Sequence, residues 1–485
     1  MLLKDILYQI NVNELTGDSN ASICAVVSDS RQAVPGTMFA AIRGITTDGH
    51  LHISQAIENG ATAILCERLP DNRLQHICYI VVEDSAKALG KAAANFYGHP
   101  SKKLKLIGVT GTNGKTTIVN MLFDAFTRMG HQCGMISTIG NRVTDTMLNT
   151  QYTTPDVLTT NKLLRDMVEA GCAYAFMEVS SHALTQKRTE GIHFSGAVFT
   201  NISHDHLDYH KSFREYIKAK QILFKELDKQ AFAVTNLDDK NGMIITQNSK
   251  AQVTTYSLRA MADIRGRLLE SNFGGLQLRV DDKELWTKLS GKFNAYNILA
   301  VYATGRLLGK DQDELLAAIS GCEPPAGRFE LVKGTQDITG IVDYAHTPDA
   351  LRNVLQNIRE TKSDKQRILT VVGCGGDRDK TKRPEMAVIA AQNSDQVYFT
   401  SDNPRFEDPE AIINDMIAGL EHYPELEKKH VAITSRKEAI KVASITATPG
   451  DIILIAGKGH EKFQEIRGEK LPFDDKAILT ELLNR

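Results

Sequence analysis

The chain carries almost no excess of either charge. Its 57 Lys and Arg residues stand against 59 Asp and Glu, a formal net charge of −2 over 485 residues. No global basic field exists to draw in nucleic acid or an anionic membrane, so neither is an expected partner; an anionic substrate has to be met by local cations and backbone amides. Long apolar runs are missing too, since none reaches the ~18 residues that a membrane span needs. The opening MLLKDILYQINVNELTG lacks a basic start, a long apolar stretch and a small-residue cleavage site. It does not read as a secretory signal, and the expected location is the cytoplasm. Cysteine is sparse and unpatterned. Cys24, Cys66, Cys78, Cys133, Cys172, Cys322 and Cys374 are odd in number and never spaced as CxxC. That argues against a disulfide framework or a zinc cluster and predicts reduced, buried thiols. Short-period repeats and low-complexity tracts are also absent.

What remains is an ordinary globular composition. Hydrophobic residues make up 42% and charged residues 24%, enough apolar material for several cores, and the length corresponds to about three domains. In residues 1–100, short apolar runs (TMFAAI, ATAILC, YIVVE) alternate with polar turns and brief helical patterns, and FYGHPSKK has the composition of a linker. In residues 101–331 a strand LKLIGVT leads into GTNGKTT and the helical IVNMLFDAFTRMG, followed by YAFMEV, GAVFTNI and AFAVTN. This is the rhythm of a parallel sheet with helices on both faces. Residues 332–485 repeat it with ITGIVDYAH, RILTVVGCGG, QVYFTSD, HVAIT and DIILIAGKGH. The expected architecture is α/β in three units. Ligands of open α/β sheets sit beyond the carboxyl ends of the strands, so the loops that follow these runs are where chemistry is sought.

Residues 110–117 read TGTNGKTT between a strand and a helix, the setting that makes a phosphate loop credible. Gly111 and Gly114 let the backbone curl, so that the amides of Thr112, Asn113 and their neighbours face phosphate oxygens. Lys115 would reach the β- and γ-phosphates and the Thr116 hydroxyl a Mg²⁺ ion. The helix that opens through Thr117 adds a dipole favourable to anions. The strict pattern wants glycine where Val109 stands, and Gly108 comes one residue too early. The competing reading is a glycine turn with a solvated lysine.

Two further strand ends carry chemistry-bearing residues. YAFMEV ends in Glu178, a carboxylate placed to hold a metal beside a phosphate loop, or else an ordinary surface acid. GAVFTNI runs into SHDHLDYH, residues 203–210, where three histidines and two aspartates fall within eight residues. Imidazole and carboxylate are both metal ligands; the alternatives are a solvated helix start or a zinc site. The following YIKAK contains Lys220, which composition alone makes a helix-surface lysine.

Taken in order, TGTNGKTT, MEVSSHAL, TNISHDHLDYH, YIKAK, GKFNAYNILA, PPAGRFE, VDYAHTPDAL, GCGGDRDKTKRP, DNPR and AGKGHE, with DSR near the start, resemble the Mur ligase family along almost the whole chain. The missing early glycine fits that family's phosphate loop. The resemblance implies a three-domain architecture: a first domain binding UDP, a central P-loop ATPase domain, and a Rossmann-like C-terminal domain for an incoming amino acid. It implies that ATP phosphorylates a substrate carboxylate and that an amine attacks the acyl phosphate. Lys115 and Thr116 would hold the phosphates and one Mg²⁺, and Glu178 and His206 a second. Lys220 matches a lysine that becomes a carbamate with CO₂, which reverses its bare reading. Asn294, Asn297, Arg328 and Asp343 match positions around the nucleotide. Ser28, Ser30, Ile45, Thr46 and Thr47 match contacts to a UDP-N-acetylmuramoyl dipeptide, as do Thr153, Thr154, Ser180, Gln186 and Arg188. Arg188 would otherwise be a solvated cation.

The amino acid can be argued from charge. Meso-diaminopimelate differs from lysine by a distal carboxylate, and a site that selects it needs a donor there. Arg405, in the loop Asp402-Asn403-Pro404-Arg405, supplies a planar fork for that group, and an unmatched buried arginine is costly. The resemblance agrees, since DNPR marks diaminopimelate-adding members, and it adds Arg378, Gly457 and Glu461 as further contacts. The rival readings are the lysine-adding version of the same enzyme, a P-loop binding protein without ligase chemistry, and a zinc protein. A monomer is the default expectation.

Overall fold

The computed structural model describes residues 1–44, 47–150 and 152–484, with residue 208 as backbone only. Three large sheets follow one another along the chain, each with a core on both faces, and a two-stranded ribbon, Phe463–Ile466 with Glu469–Pro472, follows the third.

The first sheet has the order Glu14–Thr16, Cys78–Val81, Ala61–Cys66, Thr37–Ala40, Ala25–Val27, parallel except for the edge strand Glu14–Thr16. The helix Ser85–Phe96 covers it. Asp84 caps this helix by accepting from Lys87 N, and its Ala88, Leu89, Ala92 and Ala93 face the core.

The second sheet has eleven strands. Its parallel centre runs Gln252–Ser257, Phe232–Asn236, Gly196–Phe199, Lys105–Thr110, Tyr174–Glu178, Cys133–Ser137. The first strand in sequence, Lys105–Thr110, therefore lies in the middle, flanked by Tyr174–Glu178 and Gly196–Phe199. The carboxyl ends of these three strands bring the TGTNGKTT loop, Glu178 and the SHDHLDYH segment together. Both margins of the sheet depart from the parallel rhythm read in the sequence. Gly140–Val143 and Thr146–Leu148 form one antiparallel ribbon, and Ile264–Asn272, Gly275–Val280 and Lys283–Thr287 form another. Their connections are too short for a crossover, which needs a dozen or more residues. They turn through left-handed backbone at Thr144, Gly275 and Asp281.

The third sheet has the order Glu330–Lys333, Thr339–Asp343, Ile452–Ala456, Ile368–Val372, Gln396–Phe399, His430–Ala432, parallel apart from its first strand. ILTVV and IILIA are buried at every position, as strands covered on both faces should be. The last of these strands in sequence, Ile452–Ala456, slots between the first two parallel ones. That gathers the loops after Asp343, Val372, Phe399 and Ala456 at one end. The division placed at 331/332 runs through the edge strand Glu330–Lys333, and Phe329 just ahead of it packs into the third core, so the lead-in to that strand, Arg328 included, goes with the third unit.

The units are joined by apolar contact. Val157 and Leu158, from the second unit, pack into the first core, while Phe273 and Phe293 pack on the third. No helix among the described residues is long and apolar enough to cross a membrane. The cysteines are unpaired. Six are buried, but Cys24 is exposed against the expectation, because its strand-edge position leaves its thiol donating to Pro35 O at 3.3 Å.

Candidate active site

The phosphate loop closes tightly on its neighbours. Gly111 (φ 151°) and Gly114 (φ 89°) occupy left-handed backbone. A Cβ would meet Thr200 Oγ1 at 1.8 Å in the first case and Asn297 Oδ1 at 2.5 Å in the second, so the loop depends on glycine at both places. Val109 is still strand, paired with Glu178 and Val198, and no glycine conformation is required there. Lys115 folds over the loop, donating to Gly111 O at 2.9 Å and Thr112 O at 2.8 Å. The Asn113 amide N donates to Asn201 Oδ1 at 3.0 Å. Thr112 and Thr117 are buried. Thr116 Oγ1 accepts from Arg328 Nη2, of the third unit, at 3.0 Å.

Glu178 is 1% exposed. Its Oε1 accepts from Ser137 Oγ at 2.6 Å and Thr138 N at 2.9 Å, and its Oε2 from Thr138 Oγ1 at 3.2 Å. Three donors suit a buried carboxylate. His206 sits in left-handed backbone (φ 55°), its ring 4.7 Å from that of His182 and its Nε2 3.3 Å from Asp205 Oδ2. Burial pulls its pKa down to about 3 against the opposing charge of Asp205, leaving a neutral imidazole able to act as a ligand. The three histidines of SHDHLDYH diverge: His204 is exposed, His206 lines the cleft, and His210 is buried with Nε2 2.9 Å from Ser181 Oγ. Among the described residues no group of three His, Cys, Asp or Glu converges as a metal cage, and the zinc reading needs four protein ligands or three and a water. The Thr116 hydroxyl and the Glu178 carboxylate are oxygen donors of the kind a hard ion such as Mg²⁺ takes alongside waters and phosphate oxygens, whereas the His206 imidazole suits a softer ion.

Lys220 overturns its bare reading as a surface lysine. It is 1% exposed, its Nζ donating to Gly111 O at 2.9 Å and lying 4.6 Å from the centre of the Tyr216 ring. Burial, then the neighbouring Lys115 charge, push its pKa well below the ordinary lysine value, only partly opposed by Asp205. The reason is helical phase. On Phe213–Lys225, Lys220 falls in the buried stripe of Tyr216, Ala219, Leu223 and Phe224, a signal present in the sequence.

The residues matched to the UDP-linked substrate are spread over two units. Ser28 is exposed. Ser30 is buried, its hydroxyl donating to Gln55 Oε1 at 2.8 Å, and Thr47 Oγ1 lies 3.3 Å from His52 Nε2. Ile45 and Thr46 lie outside the described residues. In the second unit Thr153 accepts from Thr138. Thr154 Oγ1 donates to Glu178 O at 2.9 Å and accepts from Ser180 N at 3.0 Å. Arg188 is half-buried and engaged by the protein: Nη1 donates to Thr154 O at 2.9 Å, Nη2 to Gln186 Oε1 at 2.6 Å, and the guanidinium covers the Tyr152 ring.

The third unit faces the phosphate loop across a cleft of about 430 Å³, which Lys115, Glu178, His206, Arg328, Arg405 and Glu461 all line. Asn297 Nδ2 donates to Asn294 Oδ1 at 2.9 Å. Asp343 accepts from Phe329 N and Ala345 N at 2.7 and 2.8 Å, and burial raises its pKa against the pull of Arg328. Arg405 is held in left-handed backbone (φ 52°) between Glu465 O and Arg467 N, with Nη1 donating to Gly376 O at 2.7 Å and Nε 3.3 Å from Glu465 Oε2. Pro404 precedes it, and Arg378 lines the same cleft from an exposed loop. Asn403 Nδ2 donates to Glu461 Oε2 at 2.8 Å. Gly457 (φ 118°) brings its backbone so close to Asp402 that a Cβ would lie 2.4 Å from Oδ2.

Sequence reasoning missed several supporting residues. The Tyr344 ring carries the Arg328 guanidinium at 4.5 Å. Buried Lys458 donates to Asn403 Oδ1 at 2.9 Å and lies 3.2 Å from Glu461 Oε2. Arg436, wholly buried, pairs with Asp475 at 2.8 Å and lies 3.9 Å from Asp402. Lys458 sits inside AGKGHE and could have been found there; Arg436 has no local signal.

A phosphate loop facing amino-acid-sized charged loops across one interdomain cleft defines a nucleotide-using enzyme that joins two substrates. Family comparison gives the class its name. Residues 22–97 match the Mur ligase family catalytic domain, 109–305 the Mur ligase middle domain, and 327–459 the Mur ligase glutamate ligase domain. The chain belongs to the Mur ligase family. Among its relatives, the UDP-N-acetylmuramoyl-L-alanyl-D-glutamate--2,6-diaminopimelate ligase of Bacteroides fragilis is 52% identical over 100% of this chain and 99% of its own. The ligase of the same name from Listeria innocua is 42% identical over 98% and 97%. A solved structure of a ligase of that name, 31% identical, superposes with a TM-score of 0.69 over 100% of this chain and 98% of its own. The MurF ligase of Thermotoga maritima in complex with ADP, 20% identical over 96% of each chain, shares the fold at a TM-score of 0.62.

Proposed function

We propose that this chain is the ATP-dependent ligase that joins meso-2,6-diaminopimelate to the D-glutamate of UDP-N-acetylmuramoyl-L-alanyl-D-glutamate in the cytoplasm, acting as a monomer during peptidoglycan precursor synthesis. The observation that carries it is the single cleft in which the phosphate loop meets Arg405 and Glu461. Full-length relatives named for this reaction support the same reading.

Residues 1–100 hold the uridine diphosphate end through Ser28, Ser30 and the 45–47 segment. Residues 101–331 hold ATP, with Thr153, Thr154, Ser180, Gln186 and Arg188 lining the path of the muramoyl peptide. Residues 332–485 present the amino acid. The substrate carboxylate oxygen attacks the γ-phosphorus of ATP, the bond to the β-phosphate oxygen breaks, and ADP leaves. The amine then attacks the acyl carbon, loses a proton, and phosphate departs as the amide forms. Lys115 and Arg328 offset the charge that builds as two anions approach. Thr116 would hold one Mg²⁺ and Glu178 and His206 a second, which supply further charge neutralisation when bound. Lys220, buried and pushed toward its neutral amine, is primed to take up CO₂ with loss of a proton. The resulting carbamate would turn a cation into a carboxylate-like group beside the loop. Closure of the third unit keeps water from the acyl phosphate. Arg405 pairs with the distal carboxylate, and Glu461 accepts from the distal ammonium.

The test is phosphate release with ATP, Mg²⁺ and the UDP-linked dipeptide, comparing meso-diaminopimelate with lysine. Release with diaminopimelate alone is the expected outcome. Release with lysine instead would keep the ligase and overturn the role of Arg405.

A further inference from the structure

We propose that Asp349 is a positioning residue that clasps the third unit onto the phosphate loop, so that the amino-acid loops are presented to the nucleotide only when its carboxylate is seated. The inference rests on the ligase reading above and adds to it the part that joins its two halves.

Asp349 is the second residue of the helix Pro348–Thr361. Its Oδ2 accepts from Asn113 Nδ2 at 2.8 Å, Ser203 Oγ at 3.0 Å and Asn353 Nδ2 at 3.3 Å. Asn353 belongs to the same helix. The other two donors belong to the second unit, one in the phosphate loop itself and one just beyond the strand Gly196–Phe199. Asn113 is also fixed from behind, with its carbonyl accepting from Thr200 Oγ1 at 2.6 Å. The loop is therefore gripped by its own sheet on one side and by the third unit on the other.

The bland account of Asp349 is an acid in the first turn of a helix, favoured by the dipole. That account explains its charge but not its partners. The helix is already capped by Thr347, whose hydroxyl accepts from Ala350 N, and a solvated first-turn acid would not collect donors from another unit. Asp349 lines a neighbouring cleft of about 360 Å³ rather than the one lined by Lys115 and Glu461, so it does not touch the reacting groups. With the Arg328–Thr116 bond, it makes a second attachment of the third unit to the same short loop. Removing a charged acceptor that takes two donors across an interface weakens that interface more than losing one ordinary hydrogen bond would. Misplaced reactants lose rate rather than binding.

Asp349→Ala is therefore expected to lower kcat about tenfold while the KM for the UDP-linked dipeptide, held by the first and second units, stays within about twofold. Small-angle scattering with Mg²⁺ and a non-hydrolysable ATP analogue should give the variant a larger radius of gyration than the wild type. Asp349→Glu keeps the helix charge but moves the carboxylate, and should behave like the alanine variant. Should Asp349→Ala fail to fold, Ser203→Ala removes one clasp donor without touching the helix and should shift both readouts in the same direction by less. Wild-type turnover, or reduced turnover with an unchanged scattering profile, would overturn the clasp. A wild-type enzyme that uses no diaminopimelate would instead overturn the ligase reading, and the scattering comparison would still judge the clasp on its own.

Discussion

Two single side chains carry the sharpest chemical claims. Lys220 is a cation in a place that disfavours cations: buried, above an aromatic face, with Lys115 nearby and a loop carbonyl as its hydrogen-bond acceptor. A neutral amine there is a nucleophile toward CO₂, and under the proposed function its carbamate would place a negative charge beside the phosphate loop. Lys220→Ala should cost about a hundredfold in kcat, as loss of a group that orients a metal site does, and short carboxylic acids should partly restore it. Full activity of the unsupplemented variant would remove that role. Arg405 is the second. Its guanidinium is tied down by Gly376 O and Glu465, so it offers a fixed fork rather than a mobile charge. Arg405→Ala should raise the KM for diaminopimelate roughly 10- to 100-fold, the worth of a charge-assisted pair, with the KM for ATP little changed. An unchanged KM for diaminopimelate would refute the carboxylate-reading argument.

Elements place these residues, and the loops after the third sheet show how. The strand Ile452–Ala456 ends in Gly457, and the strand Gln396–Phe399 leads to Asp402 two strands away. The two loops touch because Gly457 has no Cβ and takes positive φ. Gly457→Ala adds a carbon 2.4 Å from Asp402 Oδ2 in strained backbone, a cost of about 1–3 kcal/mol. The expected result is a KM for diaminopimelate raised about tenfold, with ATP binding retained; steady-state kinetics with each substrate varied would check it. At this scale the sequence was most readable where a strand runs directly into a polar loop, as with LKLIGVT and GTNGKTT. It was least readable at the sheet margins, where Gly140–Leu148 and Ile264–Thr287 turn back as hairpins instead of crossing over. Lys220 belongs to the same lesson. Its identity says surface, whereas its phase on the helix says core, and the core position prevailed.

At the scale of the whole molecule, three units are linked by small apolar contacts at Val157, Leu158, Phe273 and Phe293, and the third unit reaches the phosphate loop through Arg328 and Asp349. The active site is therefore a property of the assembly of units and not of any one of them. The sequence by itself determined the α/β class, the phosphate loop, the acid and histidine at the ends of neighbouring strands and the place of Arg405 in a loop beyond a strand. Each of these is written within a few adjacent residues and governed by local periodicity and turn chemistry. Only the tertiary structure decided that the buried Lys220 reaches Gly111, that Arg436 braces the amino-acid loops, and that Asn113 is held by a residue 236 positions away. Those contacts arise from strand order and from how one unit sits on the next, and no local pattern of side chains encodes either.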